Sequence, residues 1–166
     1  MTAKECGTCA LCCKVMGIHA LDKPRGQWCP NVMPKCGCAI YAQRPQECAD
    51  FACTWLLDEN LGPEWKPDKC KMVLVSEEAR KRTMVYVDAS QADAWKKQPY
   101  LARLTALMQA GLPLGRLVFI DVGGRVSLML PDRLEDLGVL GPQDEVALQI
   151  ARYPHATQYS VRVTRP

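Results

Sequence analysis

The sequence predicts an α+β fold: an irregular cysteine-rich lobe with a short helix, packed on a small, mainly antiparallel sheet with two helices. Three observations carry this. Nine of the ten cysteines lie between Cys6 and Cys53, the tenth is Cys70, and residues 71–166 have none. The front segment is rich in Gly and Pro and poor in periodic apolar pattern. Behind it, short runs of alternating polarity are separated by turn residues, and one longer run has the spacing of an amphipathic helix. At 166 residues the chain is expected to form one compact domain over 1–166. Within it a cysteine lobe spans 1–62 and an α+β scaffold lobe spans 63–166, with Gly62-Pro63-Glu64-Trp65-Lys66-Pro67 at the join.

In the front lobe Pro45 suits a first helical position, and Cys48, Phe51 and Trp55 follow at roughly helical spacing. Lys71–Ser76 and Thr83–Asp88 alternate and carry β-branched or aromatic residues, so two strands are expected there, joined by a charged turn at Arg80-Lys81-Arg82. Pro99–Ala110 places Leu101, Leu104, Leu107 and Met108 on one helical face, with Gly111 as a stop. Arg116–Asp121 and Arg125–Leu130 flank Gly123-Gly124, a hairpin signal. Pro142–Arg152 reads as a short helix with Val146 and Ile150 inward, and Tyr159–Val163 as a last strand.

No stretch is long and apolar enough to cross a bilayer, so no membrane association is expected. Met1-Thr2-Ala3-Lys4-Glu5 leads straight into cysteines with no apolar signal core, which points to a cytoplasmic protein. The cytosol keeps thiols reduced, so the cysteine excess points to metal ligation rather than disulfides.

The opening motif is Cys6-Gly-Thr-Cys9-Ala-Leu-Cys12-Cys13. Two-residue spacing lets successive thiolates turn toward one ion, as in zinc and iron–sulfur sites. Further cysteines follow as Cys29-Pro30, Cys36-Gly37-Cys38, Cys48 and Cys53. Gly37 permits a tight backbone turn around a ligand. Cys12 and Cys13 are neighbours whose side chains diverge in most backbone conformations. Cys48 and Cys53 are five apart, about 140° of rotation on a continuous helix. Either the helix ends between them or they face different sites.

These motifs resemble the YkgJ-like cysteine-cluster family of bacterial proteins, whose Cys-x2-Cys-x2-Cys-Cys domain is described as zinc- or iron-chelating. The resemblance runs through Cys6, Cys9, Cys12 and Cys13, then Cys29-Pro30, Cys38-Ala39-Ile40-Tyr41, Arg44-Pro45-Gln46-Glu47-Cys48 and Phe51-Ala52-Cys53. It covers roughly residues 6–70. It implies eight metal ligands: Cys6, Cys9, Cys12, Cys13, Cys29, Cys38, Cys48 and Cys53. Cys36 and Cys70 look additional, Cys36 with its status open and Cys70 as a buried apolar cysteine at a strand start. The family's cluster is similar to that of the lysine N-methylase that modifies flagellin. This chain is much shorter and has no visible cofactor-binding motif, so that activity is not carried over.

Thiolates suit both zinc and iron. Bacterial ferredoxins share the repeated two-residue spacing, but their fourth cysteine follows three residues later and precedes proline. Here the fourth is adjacent, at Cys13, and precedes Lys14. The preferred cofactor is therefore Zn2+, with iron or a [4Fe-4S] cluster as the alternative. The expected function is metal binding with a structural, metal-handling or regulatory role. Three alternatives are an iron–sulfur protein supporting redox or protein-modification chemistry, a zinc-stabilised adaptor binding a protein or RNA, and a thiol redox sensor.

The formal net charge of +3 is weak, and eight thiolates with two divalent ions would bring it to about −1. No block of Lys and Arg forms an electrostatic footprint, so nucleic acid is not expected as a partner. His19 and His155 are the only histidines, which excludes a three-histidine catalytic zinc site. His19 is expected at the surface or beside the ligands, and His155 exposed. Tyr41 is expected to pack on the lobe and Arg44 to pair with a carboxylate. Trp28, Trp55 and Trp65 are expected to form a minimal core.

Overall fold

The computed structural model describes residues 4–166. Residues 1–3, on which the reading of a leaderless start partly rests, lie outside the described residues. From Lys4 to Cys70 every element is short: a helical turn Cys12–Val15 (α1), a strand pair Val32–Met33 (β1) and Gly37–Cys38 (β2), then the turns Gln46–Asp50 (α2), Thr54–Leu57 (α3) and Pro67–Cys70 (α4). Gly37 has a φ of +92° and its Cα faces the Gly7 carbonyl, so a side chain there would be both strained and crowded.

The rest builds a mainly antiparallel five-stranded sheet. Its strands are Met72–Glu77 (β3), Arg82–Val87 (β4), Leu117–Val122 (β5), Arg125–Met129 (β6) and Leu134–Val139 (β7), in that spatial order. Only β4 and β5 run parallel, and the connection between them carries the one long helix, Tyr100–Gly111 (α5). Their apolar runs fit burial on both faces. Val73, Val85, Val87, Val118 and Ile120 are all 2% exposed or less. Leu11, Val15, Cys53 and Trp55 from the front segment belong to the same buried cluster as the sheet residues. Two nine-residue strands, Glu145–Tyr153 (β8) and Ala156–Thr164 (β9), form a separate antiparallel hairpin. No helix of the described residues is long and apolar enough to cross a membrane.

Several expectations are corrected here. The helix expected from Pro45 through Trp55 is broken: α2 ends at Asp50, Phe51 is extended, and α3 begins after Cys53. This is the first of the two outcomes that the Cys48–Cys53 spacing left open. The helix expected over Pro142–Arg152 is absent: Pro142 and Gln143 form a turn and Glu145–Tyr153 is strand. Val146, Leu148 and Ile150 satisfy a two-residue period as well as Val146 and Ile150 satisfy a helical one, and the pairing with Ala156–Thr164 decides between them. Ile150 is consequently 37% exposed rather than inward. The scaffold therefore has one long helix instead of two among the described residues, and the unexpected β7 forms an edge of the sheet beside β6.

On α5, Leu104 and Met108 face the core while Leu107 is 40% exposed. α5 ends at Gly111, as expected, and the glycine sits there in close packing. A Cβ there would lie 2.9 Å from the Arg116 carbonyl oxygen, and Gly115, at φ +68°, makes the reversal. Arg82 of the expected charged turn is the first residue of β4, paired at 2.8 Å with Glu77 across the strands. Trp55 and Trp65 are buried, but Trp28 is 52% exposed beneath the Lys14 ammonium and belongs to no core.

Candidate metal centre

A cavity of about 240 Å³ lies between the front segment and β3, with Val73 and Leu56 on its inner wall. Cys6, Cys9, Cys12, Cys13, Cys29, Cys38, Cys48 and Cys53 all line it, and Cys36 and Cys70 do not. All ten cysteines are free thiols. Cys36 is exposed in the β1–β2 turn. Cys70 is 1% exposed just before β3, its thiol donating to the carbonyls of Trp65 and Met72 at 3.3 and 3.2 Å.

Local chain reversals bring the eight together. The Cys9 N–H donates to the Cys6 carbonyl at 2.9 Å, closing the first two-residue turn. Cys12 and Cys13 open α1, which is anchored below by buried Leu11 and Val15. The Cys29 N–H donates to the Cys13 carbonyl at 3.0 Å, and Cys38 pairs with Val32 across β1–β2. Cys48 sits within α2, and Cys53 precedes α3 with 6% exposure.

Electrostatics follow from this enclosure. Burial pushes the thiols of Cys6, Cys9, Cys48 and Cys53 above the ordinary cysteine value. Cys12 and Cys13 share a side-chain hydrogen bond that raises Cys12 and lowers Cys13 to about 7, where Lys23 helps hold the thiolate. Lys23 itself is 6% exposed, and its ammonium donates to the carbonyls of Lys14 and Met16.

The donor chemistry fits a thiophilic metal. Eight sulfurs line one space, and two of the surrounding cations, Lys23 and Lys66, have no carboxylate partner among the described residues. On the Cys9 side, Asp68 Oδ1 is buried with no hydrogen-bond partner among the described residues, the kind of orphaned acceptor that a nearby cation would satisfy. Among the described residues, however, no three His, Cys, Asp or Glu side chains are already grouped to hold an ion. The eight residues surround a common space, and ligation requires their sulfurs to close inward.

Other expected residues fall out as follows. His19 is a surface group at 99% side-chain exposure, 3.3 Å from Glu47. His155 is exposed in the β8–β9 turn. Tyr41 is 58% exposed yet lines the cavity, so it packs on the lobe at its surface. Arg44 lies over its ring at 3.9 Å and donates to its carbonyl, with no carboxylate partner among the described residues, which corrects the ion pair expected of it. Sequence reading missed Lys23, because a lysine between Asp22 and Pro24 carries no signal of burial. It also missed two ion pairs that tie the front segment to the sheet: Lys14–Asp88 at 2.7 Å and Arg25–Asp121 at 3.0 Å.

No family model matches the chain, and comparisons with curated proteins and with solved structures likewise found no match.

Proposed function

We propose that this protein binds metal through its clustered cysteine thiolates, with zinc as the resident ion and a structural or metal-handling role in the cytoplasm. One observation carries the reading: the eight cysteines singled out by motif all line one cavity, and the two set aside do not. Chance selection of buried cysteines does not explain this, since Cys70, among the most buried of the ten, lies outside the cavity. In this reading residues 4–62 form a cysteine lobe whose order comes from metal bonds, because its short elements bury too little apolar surface to offset chain entropy. X-ray absorption at the metal edge of protein purified without oxygen tests it. A sulfur-only shell near 2.3 Å is expected for zinc, and a shell of nitrogen or oxygen would contradict ligation by these cysteines.

A second reading rests on the same lining, since clustered cysteine thiolates also hold iron–sulfur clusters. Such a cluster would supply electron transfer. Broad visible absorbance with acid-labile sulfide supports this alternative; a colourless, sulfide-free protein supports zinc.

A further inference from the structure

The eight thiols do not line the cavity at random, and their backbone anchors fall into two groups. Lys4 reaches from the start of the described chain to the carbonyls of Asp58 and Leu61, at 2.5 and 2.6 Å. Its ammonium and that of Lys66 both lie over the Trp55 ring, at 5.2 and 5.5 Å. These contacts hold the Cys6–Cys9 turn against the segment that begins at Cys53. Cys12 follows Cys9 by the same two-residue step that separates Cys9 from Cys6.

The second group is held by different bonds. Cys13 accepts the Cys29 N–H through its carbonyl. The Cys29 carbonyl in turn accepts the Val32 N–H, and Val32 pairs with Cys38. Cys48 reaches this side because its neighbour Glu47 accepts the Ala20 N–H at 3.2 Å and pairs with His19, docking α2 on the 18–23 loop. That loop is the one that carries Lys23, folded back by the Ile18–Lys23 bridge.

We infer that the cavity comprises two four-thiolate metal sites, Cys6, Cys9, Cys12 and Cys53 in one and Cys13, Cys29, Cys38 and Cys48 in the other, with Lys23 the buried counter-cation of the second. The partition rests on the metal-binding reading above and assigns the pairing that spacing alone leaves open. Vicinal Cys12 and Cys13, whose side chains hydrogen-bond to each other, sit at the seam between the two walls, and the rotation of about 100° between adjacent helical residues lets metal binding draw them apart.

Away from the Cys12–Cys13 seam, the influences between thiols stay within the groups: Cys48 is influenced by Cys13, Cys29 and Cys38, Cys53 by Cys9, and Cys9 by Cys6. Two interactions cross the seam: the Cys12–Cys13 side-chain hydrogen bond, which metal binding must break, and the influence of Cys13 on Cys6. Lys23 has a physical reason to be where it is. A nearly buried ammonium bonded only to neutral carbonyls is costly unless anionic charge lies close. Its ammonium donates at 3.0 Å to the carbonyl of Lys14, the residue after Cys13, so thiolates of the second site are the anionic groups placed to supply that charge.

The test counts zinc per chain in full-length protein purified without oxygen and saturated with zinc. Wild type is expected to hold two ions. Cys38→Ser and Cys53→Ser should each lose one. Cys38→Ser with Cys48→Ser should still hold one, while Cys38→Ser with Cys53→Ser should hold none. Loss of all zinc from either single variant would overturn the partition in favour of one shared site. So would a double variant within one group that loses both ions. Wild type with no bound metal would overturn the metal-binding reading itself, an outcome seen before any variant is made.

Because serine variants can misfold, cadmium-113 NMR of the wild type gives the same answer without mutation. Two resonances, each correlated with the β-protons of its own four cysteines, are expected, and correlations that mix the groups would overturn the pairing. Lys23→Met should release one ion to a chelator roughly tenfold to a hundredfold faster, the usual scale for a group that supports ligands. The other ion should keep its rate. Equal acceleration of both, or of neither, would overturn the role given to Lys23.

Discussion

The ammonium of Lys14 lies 2.7 Å from Oδ1 and 2.9 Å from Oδ2 of Asp88, joining the residue after Cys13 to the residue after β4. Asp88 is 6% exposed and also accepts the N–H and O–H of Ser90. This bond fixes the floor of the cysteine cavity to the sheet. Removing one partner leaves the other charge poorly solvated. Lys14→Met should therefore destabilise the fold by about 2 kcal/mol, the scale for a hydrogen bond between charged groups. The measurement is denaturant unfolding followed at Trp55 and Trp65. An unchanged midpoint would mean that the pair does not anchor the segment.

Acid should act on Asp88 and Asp121 in opposite senses. Burial pushes the Asp88 carboxyl up, but Lys14 and Ser90 outweigh it and leave it below the ordinary aspartate value. A lowered folded pKa contributes stability above the unfolded value, and that contribution is lost as pH falls through the folded one. Asp121, 3% exposed, is raised by burial despite the Gly124 N–H and Arg25. Its ionised form costs stability, and the cost is relieved as pH falls. Asp88→Asn should lower the Tm at neutral pH and match wild type only once pH has fallen through the depressed folded value, below the ordinary aspartate range. Asp121→Asn should cost less at neutral pH. Tm measured against pH for both variants checks the two signs.

Thiol reactivity should separate the ten cysteines. In zinc-saturated protein, Cys36 is exposed and outside the cavity, so iodoacetamide should label it first. Cys70 should resist, since it is buried and its thiol is pushed up to about 12. The eight cavity cysteines should become reactive only after chelation. Peptide mass mapping before and after chelator reads this directly, and labelling of the eight at the rate of Cys36 in the loaded protein would count against ligation.

Gly111 should be intolerant of any side chain. Its close approach to the Arg116 carbonyl leaves 2.9 Å for a Cβ, and backbone is harder to displace than a flexible side chain. Gly111→Ala should cost about 1–3 kcal/mol, the range for overpacking, even though alanine is the better helix former. A neutral or stabilising result in thermal unfolding would show that the α5–β5 junction can relax.

The parts of the fold that were legible in sequence are those with local signals. The Gly123-Gly124 turn marked β5 and β6, alternation marked β3 and β4, and the leucine spacing marked α5. Where two periods coincide, as at Val146 and Ile150, the choice passed to a partner strand that local pattern does not see. The break after Asp50 was likewise only half legible, because a five-residue cysteine spacing constrains the helix without placing its end. The eight cysteines were marked by spacing and resemblance, and the structure gathers them around one cavity. Lys23, Asp88 and Asp121 were not marked, because burial of a charge is decided by tertiary packing that a single side chain does not advertise.

The measurement to make is the zinc, iron and acid-labile sulfide content of the full-length protein purified without oxygen, beside Cys36→Ser and Cys70→Ser as controls. Metal binding by the cavity predicts stoichiometric metal in all three, since neither control residue lines the cavity. Wild type with little of either metal, or a control that loses its metal, would contradict it.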